Sequence, residues 1–341
     1  MVSKSKLIQI CGPLGGYAFI RWLMRNEPRI VMFHRFSAEP KAHCVSSGVL
    51  ERQLLYLKKH LNIIPLSQLR ECKEQGKPLP RNSLVLTVDD GYRDFYQVAY
   101  PLLKKHKLPA TLFVTTGFVN RELWLWPDQI TWLLKNSDFL REPMKLGGES
   151  IDAQAIDNSS FPILWGRIIG YLLSIDDVLK RQWIKQFARA LQLILPDQTP
   201  TEYEACTWDE LREMQANGIE IGGHTHTHPS LGQVNEAQLR EEISTCKNVI
   251  KSELGDLERD FCFPNGQPND FNQSVIDVVK GSGFRSSVTA FYDGLATKEI
   301  FEMRRHTASE DWFQFFKSVN GVEAMMARYA GAHNRMEGGF C

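Results

Sequence analysis

Residues 84–91 read Leu-Val-Leu-Thr-Val-Asp-Asp-Gly, a short apolar run that ends in two adjacent carboxylates and a glycine. The uninterrupted aliphatic and β-branched run predicts a buried strand of a parallel sheet. Neighbouring side chains diverge on an extended backbone, so Asp89 and Asp90 can serve two tasks, such as base and metal ligand. Gly91 then permits a sharp turn. The alternative interpretation is an Asp-Asp-Gly turn that caps the next helix.

Similar apolar runs and helical periods alternate along the chain on both sides of this strand. Further strands are predicted at residues 30–33, 111–114, 219–221, 261–263, 286–289 and 301–303. Apolar residues recur at helical spacing at 50–61, 96–106, 236–254 and 272–280. This alternation indicates parallel strands joined by right-handed crossovers. We therefore predict an α/β fold, a distorted or incomplete (β/α) barrel of seven to eight parallel strands with a helical insertion.

The 341 residues divide into three predicted parts. Residues 1–28 form an apolar and basic N-terminal segment, residues 29–325 form the barrel, and residues 326–341 form a C-terminal tail. Within the barrel, residues 120–203 interrupt the alternation with helical patterns and hold five of the eight tryptophans. We predict that this stretch is a helical insertion on the C-terminal side of a strand, where barrel active sites lie.

Composition excludes several classes of protein. Lys and Arg number 40, as do Asp and Glu, and this zero net charge argues against a nucleic-acid binder. A hydrophobic content of 43% excludes a disordered chain, and the composition is not that of collagen or a coiled coil. The seven cysteines include no Cys-x-x-Cys pair, which favours reduced thiols over a disulfide framework or a cysteine zinc site.

The N-terminal segment contains the 14-residue apolar stretch 7–20, which is too short for a comfortable transmembrane helix. Residues 1–30 carry five basic side chains against one acidic side chain, a net charge of +4. Two interpretations remain open, peripheral attachment to an anionic membrane face and docking on the barrel. The expected location is cytoplasmic, either free or membrane-associated.

A second polar cluster reads Gly-Gly-His-Thr-His-Thr-His-Pro at residues 222–229 and holds three of the nine histidines. His224 and His228 are four residues apart, which places two imidazoles on one side of a helical turn or tight loop. With one carboxylate they would form a two-histidine, one-carboxylate metal site with open positions for water. The alternative is a solvent-exposed histidine run without a ligand.

The two clusters together resemble the motifs of the polysaccharide deacetylases with a NodB homology domain, carbohydrate esterase family 4. Residues 87–91 are similar to the family's Thr-Phe-Asp-Asp-Gly motif, and residues 224–228 to its His-(Ser/Thr)-x-x-His motif. The resemblance implies that Asp89 is the catalytic base and that Asp90, His224 and His228 bind a divalent metal, most commonly Zn²⁺. It also implies that Thr225 braces the loop.

A third family motif, Arg-x-Pro-x-Gly, is matched only in part by residues 261–266. Pro264 and Gly266 agree with it, but Cys262 stands where the family has an arginine that orients the base. Arg305, after the last predicted strand, could supply this charge from elsewhere. The resemblance implies that the backbone N–H of Asn265 is the oxyanion donor.

The family's late histidine motif, which supplies the general acid, has no clear copy near the C-terminus. Instead His34 follows the first predicted strand, as in a subgroup that acts on exopolysaccharides such as poly-N-acetylglucosamine. A barrel tolerates this move because its strand ends meet in space. The alternative for His34 is a core histidine bound to a backbone carbonyl.

The resemblance therefore predicts a metal-dependent deacetylase that hydrolyses the N-acetyl group, or an O-acetyl group, of a carbohydrate or polysaccharide. The tryptophans of the insertion could stack on sugar rings, or they could form the insertion's own core, which is the commoner case. Two other functions stay open, a metal-dependent amidohydrolase acting on a small amide and an inactive carbohydrate-binding protein. Cys262 favours the inactive protein, whereas the intact ligand set opposes it.

Overall fold

Parallel strands occupy the centre of the computed structural model, which describes residues 12–294 and 299–328. Within these ranges the strands are, in chain order, β1 (Arg29–Phe33), β2 (Phe36–Ser37), β3 (Val45–Ser46), β4 (Asn62–Ile63), β5 (Ser83–Val88), β6 (Ala110–Val114), β7 (Phe139–Leu140), β8 (Met144–Leu146), β9 (Glu149–Ile151), β10 (Gln154–Ala155), β11 (Ile219–Gly223), β12 (Phe261–Cys262), β13 (Ser287–Val288) and β14 (His306–Thr307). Eight of these described strands form one sheet in the order β13-β12-β11-β6-β5-β1-β14, with β4 paired to β5.

The sheet is curled so that its two edges approach each other, and one short segment lies between them. Met303 forms a parallel bridge with Val288 at the β13 edge, and His306 pairs with Val31 at the β1 edge. Residues 303–307 therefore connect the first and last strands of the curl. This architecture confirms the predicted incomplete barrel of parallel strands.

Helices cover the outside of the sheet. They are α1 (Tyr17–Leu23), α2 (Ser47–His60), α3 (Leu66–Glu74), α4 (Tyr100–His106), α5 (Thr116–Val119), α6 (Trp126–Lys135), α7 (Phe161–Leu173), α8 (Asp177–Ala190), α9 (Trp208–Ala216), α10 (Glu236–Leu254), α11 (Gln273–Gly281) and α12 (Trp312–Val319). Every residue of β1 and β5 is buried, because helices cover one face of each strand and the barrel interior covers the other. The apolar run that starts at residue 84 is thus a central strand.

The insertion at residues 120–203 is less helical than predicted. It contains α6, α7 and α8, but also two antiparallel pairs, β7 with β10 and β8 with β9. The helices α6, α7 and α8 agree with the predicted helical insertion, and residues 139–155 depart from it by forming strands. Met144, Lys145 and Leu146 alternate buried, exposed and buried, a period too short to stand out in the sequence.

The insertion has a hydrophobic core of its own. Trp126 and Trp183 are buried in it, and Trp132 and Trp165 pack against it from partly buried positions. Trp124 is buried in the main core of the barrel. These placements favour the structural interpretation of the tryptophans over a sugar-stacking one.

The N-terminal segment is docked on the barrel over its described part. Tyr17 packs against Phe316, and Arg21 donates hydrogen bonds to Tyr56 and Asn320. Residues 1–11 of this predicted segment and residues 329–341 of the predicted tail lie outside the described residues. Across the described part of the chain, no helix combines the length and the apolar character needed to cross a bilayer.

Candidate active site

The two adjacent aspartates lie at the C-terminal end of β5, on a backbone that turns sharply. Asp90 has a φ of 76° and Gly91 a φ of 89°. A Cβ on Gly91 would lie 3.0 Å from a side-chain methyl of Val114, so the position combines a left-handed backbone with a close neighbour. Both carboxylates are buried. Asp90 is thus held in a backbone conformation that is costly for a residue other than glycine.

Asp90 faces both histidines that the sequence predicts as metal ligands. Its Oδ1 lies 3.3 Å from Nε2 of His224 and 3.3 Å from Nε2 of His228. One nitrogen or oxygen atom from each of the three buried residues lies within 4.8 Å of the other two. Nδ1 of His224 donates to the carbonyl oxygen of Cys262 at 2.8 Å, so Nε2 is the ring nitrogen left to bind a metal. The donor set fits a divalent ion such as Zn²⁺.

A second group of donor atoms lies beside this set, formed by Asp89, His224 and Cys262. It is a poor cation site, because Nη2 of Arg305 lies 2.6 Å from Oδ2 of Asp89 and 3.0 Å from Sγ of Cys262. Burial also raises the pKa of the Cys262 thiol, which disfavours the thiolate that binds metals. The Asp90 set is therefore the better candidate metal centre.

The histidine loop is braced from within and from α10. Thr225 accepts a hydrogen bond from the His228 amide at 3.0 Å and donates to the His224 carbonyl at 2.6 Å. Glu242 accepts from the amides of His226 and Thr227 and from the Thr227 hydroxyl, at 3.0, 2.8 and 2.6 Å. Thr225 and His228 both have positive φ, so these bonds hold an otherwise disfavoured backbone.

Glu242 is not part of any motif that is recognisable in the sequence. The available signal was a carboxylate on the buried face of an amphipathic helix, where Leu239, Ile243 and Cys246 are also buried. His226 points to other partners, since its Nδ1 lies 2.9 Å from the Thr116 hydroxyl. It is not part of the candidate ligand set, in keeping with the family pattern.

The candidate base Asp89 is paired with Arg305. Nη1 of Arg305 donates to Oδ1 of Asp89 at 2.7 Å, and Nη2 donates to Oδ2 at 2.6 Å. Both side chains are buried, and the guanidinium also donates to the Thr289 carbonyl at 2.5 Å and to the Thr87 hydroxyl at 3.0 Å. Burial alone would raise the pKa of Asp89, but Arg305 holds that pKa below its ordinary value.

Cys262 lies against the same pair, with its Sγ 3.5 Å from Oδ2 of Asp89. The structure thus brings Arg305 to the carboxylate that the family orients with an arginine at the position of Cys262. The charge arrives from the segment between the sheet edges rather than from β12.

His34 lies at the mouth of the site. Its Nε2 is 3.7 Å from Oδ2 of Asp89, and 44% of its side chain is exposed. This exposure does not fit the alternative of a core histidine bound to a carbonyl, whereas it suits a group that meets a ligand from solvent.

Arg35, the residue after His34, is held in place by contacts that the sequence did not reveal. Arg35 donates to Asp94 at 2.6 Å and to the Glu202 carbonyl at 2.5 Å, and it lies over the Tyr92 ring at 3.9 Å from its centroid. The Tyr92 hydroxyl donates to Asp128 of the insertion at 2.6 Å. Burial raises the pKa of Asp128 to about 7, although Arg35 and Tyr92 act to lower it.

Asn265 follows β12 with a φ of 58°. Its side-chain amide lies 3.5 Å from the Ser230 hydroxyl. Its backbone N–H has no hydrogen-bond acceptor among the residues that the structure describes. The N–H is therefore free to bind a ligand oxygen.

A comparison with known families matches this chain to the polysaccharide deacetylase model at residues 76–142 and 174–287, slightly more than half of its length. The chain belongs to the polysaccharide deacetylase family. The unmatched residues 143–173 fall inside the insertion, over β8, β9, β10 and α7.

Two curated relatives carry the same name. A stretch of 93 residues, 27% of this chain, is 38% identical to a poly-beta-1,6-N-acetyl-D-glucosamine N-deacetylase of Staphylococcus aureus (strain MSSA476) and covers 32% of that protein. A stretch of 152 residues, 44% of this chain, is 26% identical to the Escherichia coli O157:H7 protein and covers 19% of it. The chain thus spans a third or less of the length of these relatives.

Solved structures share the fold at low sequence identity. Streptococcus pyogenes deacetylase PplD in complex with acetate has a TM-score of 0.57 and 16% identity, with 88% of this chain and 99% of that chain covered. IcaB from Ammonifex degensii has a TM-score of 0.56 and 15% identity, with 86% and 97% covered.

Proposed function

We propose that this protein is a metal-dependent hydrolase that removes the N-acetyl group from an amino sugar of a glycan. The observation that carries the proposal is the convergence of Asp90, His224 and His228 beside the buried Asp89–Arg305 pair. These residues supply a metal site and a base side by side. Family membership supports deacetylation as the reaction.

Asp90, His224 and His228 would hold the ion, most commonly Zn²⁺ for such a donor set. A bound divalent ion polarises an amide carbonyl and lowers the pKa of water. Asp89 takes a proton from the attacking water, and Arg305 keeps its carboxylate ionised and oriented. The free N–H of Asn265 donates to the developing oxyanion.

His34 completes the reaction as general acid. The amide C–N bond breaks, His34 gives a proton to the departing nitrogen, and the products are acetate and a free amino sugar. Its half-exposed position at the mouth of the site supports this role, because the sugar ring enters from solvent.

Two observations support a glycan of N-acetylated glucosamine as the substrate class. The curated relatives are named as deacetylases of such a polymer. The zero net charge of this chain suits an uncharged glycan rather than a polyanion. The proximity of Arg305 to Asp89 also weakens the case for an inactive carbohydrate-binding protein, since that case rested on the arginine missing at Cys262.

Acetate release tests the proposal. The metal-free protein, prepared with a chelator, is compared with the zinc-loaded protein on three substrates: a β-1,6-linked N-acetylglucosamine oligomer, an O-acetylated oligomer and a small amide. We expect zinc-dependent release from the N-acetylated oligomer. Zinc-dependent release from the small amide alone would support the amidohydrolase alternative instead, and zinc-independent release would contradict the metal site.

A further inference from the structure

One helix of the fold presents an apolar face that no described residue covers. On α1 the residues Ala18, Phe19, Trp22 and Leu23 are exposed, while Tyr17 on the opposite side is buried. Phe19, Trp22 and Leu23 are 60%, 57% and 46% exposed. We call these four residues the α1 apolar face.

The α1 apolar face differs from the scattered exposed residues found on most proteins. Its members lie one, four and five positions after Ala18, which places them on one side of a helix. The rings of Phe19 and Trp22 are stacked with centroids 6.1 Å apart. In the rest of the described chain, Phe139 is the one other large aromatic with an exposed side chain.

A positive charge lies at the edge of this face. The Arg25 guanidinium lies 4.8 Å from the Trp22 ring centroid. Two further cations, Arg21 on the same helix and Lys59 at the end of α2, lie close enough to His60 to lower its pKa together with burial.

We propose that the α1 apolar face binds the surface of an anionic lipid bilayer. Trp and Phe side chains partition into the headgroup region, and neighbouring Arg and Lys side chains are attracted to anionic headgroups. A second copy of this chain would bury the apolar side chains but would not account for the Arg25 charge at the edge of the face.

The segment that carries this face and the catalytic residues lie at opposite ends of β5. The Asn82 amide donates to the Arg25 carbonyl at 2.6 Å, so the end of this segment lies beside the start of β5, whereas Asp89 follows the end of β5. A six-residue strand is about 20 Å long. The site thus lies at the far end of β5 from Arg25, which suits a polymeric glycan more than a sugar held at the headgroups. This consequence alone rests on the proposed function.

Vesicle co-sedimentation of the full chain tests the proposal. The vesicles are pure phosphatidylcholine, or phosphatidylcholine with about one quarter phosphatidylglycerol. We expect binding to the anionic vesicles, and a loss of at least about tenfold in partitioning for the double variant Phe19→Ser/Trp22→Ser. The matched control Ile194→Ser/Leu257→Ser also removes two exposed apolar side chains and should bind like the wild type.

Two further measurements separate the outcomes. Acetate release from a soluble oligomer should be the same for the wild type and the Phe19→Ser/Trp22→Ser variant, since neither side chain belongs to the site. Light scattering of the wild type and the variant reports the oligomeric state. The proposal is overturned if the wild type does not bind anionic vesicles or if both double variants bind them equally well. It is also overturned if the wild type is a dimer and the Phe19→Ser/Trp22→Ser variant is a monomer.

Discussion

At the scale of single residues, the centre of the site is a carboxylate whose arginine partner comes from a distant part of the chain. Arg305 stands 216 residues after Asp89 in the chain and donates to both oxygens of its carboxylate. Cys262, at the end of β12, lies beside this pair. The Cys262 thiol is small and neutral, so it leaves room for the Arg305 guanidinium, which comes from the segment between the sheet edges. Arg305 thus takes the place of the family's motif arginine in space, although it stands elsewhere in the sequence.

Replacing Arg305 should change the pH dependence of the reaction. In Arg305→Met the burial of Asp89 is no longer opposed by a positive charge, so the pKa of the base rises. The acidic limb of the kcat/KM profile should move to higher pH, and activity at neutral pH should fall by about a hundredfold. Cys262→Ala is the control, with the wild-type limb retained. An unchanged acidic limb in Arg305→Met would show that Arg305 does not act on the base.

Glu242 should control metal affinity without touching the metal. Glu242→Gln cannot accept three hydrogen bonds as strongly, so the loop that carries His228 loosens. We expect zinc affinity to fall by about 10- to 100-fold, measured by competition with a chelating dye. The neighbouring Glu241 is exposed on the same helix, and Glu241→Gln should leave the affinity unchanged. Equal affinity in the two variants would argue against the brace.

At the scale of secondary-structure elements, the features that the sequence predicted are those whose pattern lies within a few consecutive residues. β5 and the histidine loop each carry their signal within a few consecutive residues, and the structure brings Asp90, His224 and His228 together. The pairs β7 with β10 and β8 with β9 were missed because strands of two or three residues show almost no period. The contacts of Glu242 and Asp128 depend on helix docking and rotamers, which a single sequence does not encode visibly.

The insertion is joined to the site through Asp128 of α6. This residue accepts from Tyr92, whose ring supports Arg35 next to His34. The chain of contacts makes the insertion a support for the candidate general acid rather than a separate module.

Removing this support should lower the rate while sparing the metal. In Arg35→Met the bonds to Asp94 and to the Glu202 carbonyl are lost, so His34 is held less firmly. We expect deacetylation to slow by about 10- to 100-fold, because small displacements of a catalytic group are costly. Zinc affinity should stay at the wild-type value, as measured by dye competition. A loss of zinc affinity of the same size would instead indicate general disruption of the site.

At the scale of the whole molecule, the curl of the sheet explains how one site gathers residues from 34 to 305. Residues 303–307 pair with β13 on one side and β1 on the other, so the last segment of the barrel lies next to the first. This closure brings Arg305 and His34 to the same carboxylate, that of Asp89. The order of motifs in the chain is therefore free to differ from that of the family while the geometry is kept.

The most direct test of the whole account compares zinc content and acetate release in Asp89→Asn and the wild type. We expect the variant to bind as much zinc as the wild type, because Asp90, His224 and His228 are unchanged. Acetate release should fall by at least about a hundredfold, because the base is gone. Zinc bound at the wild-type level with acetate still released at the wild-type rate would contradict the assignment of Asp89 as the base.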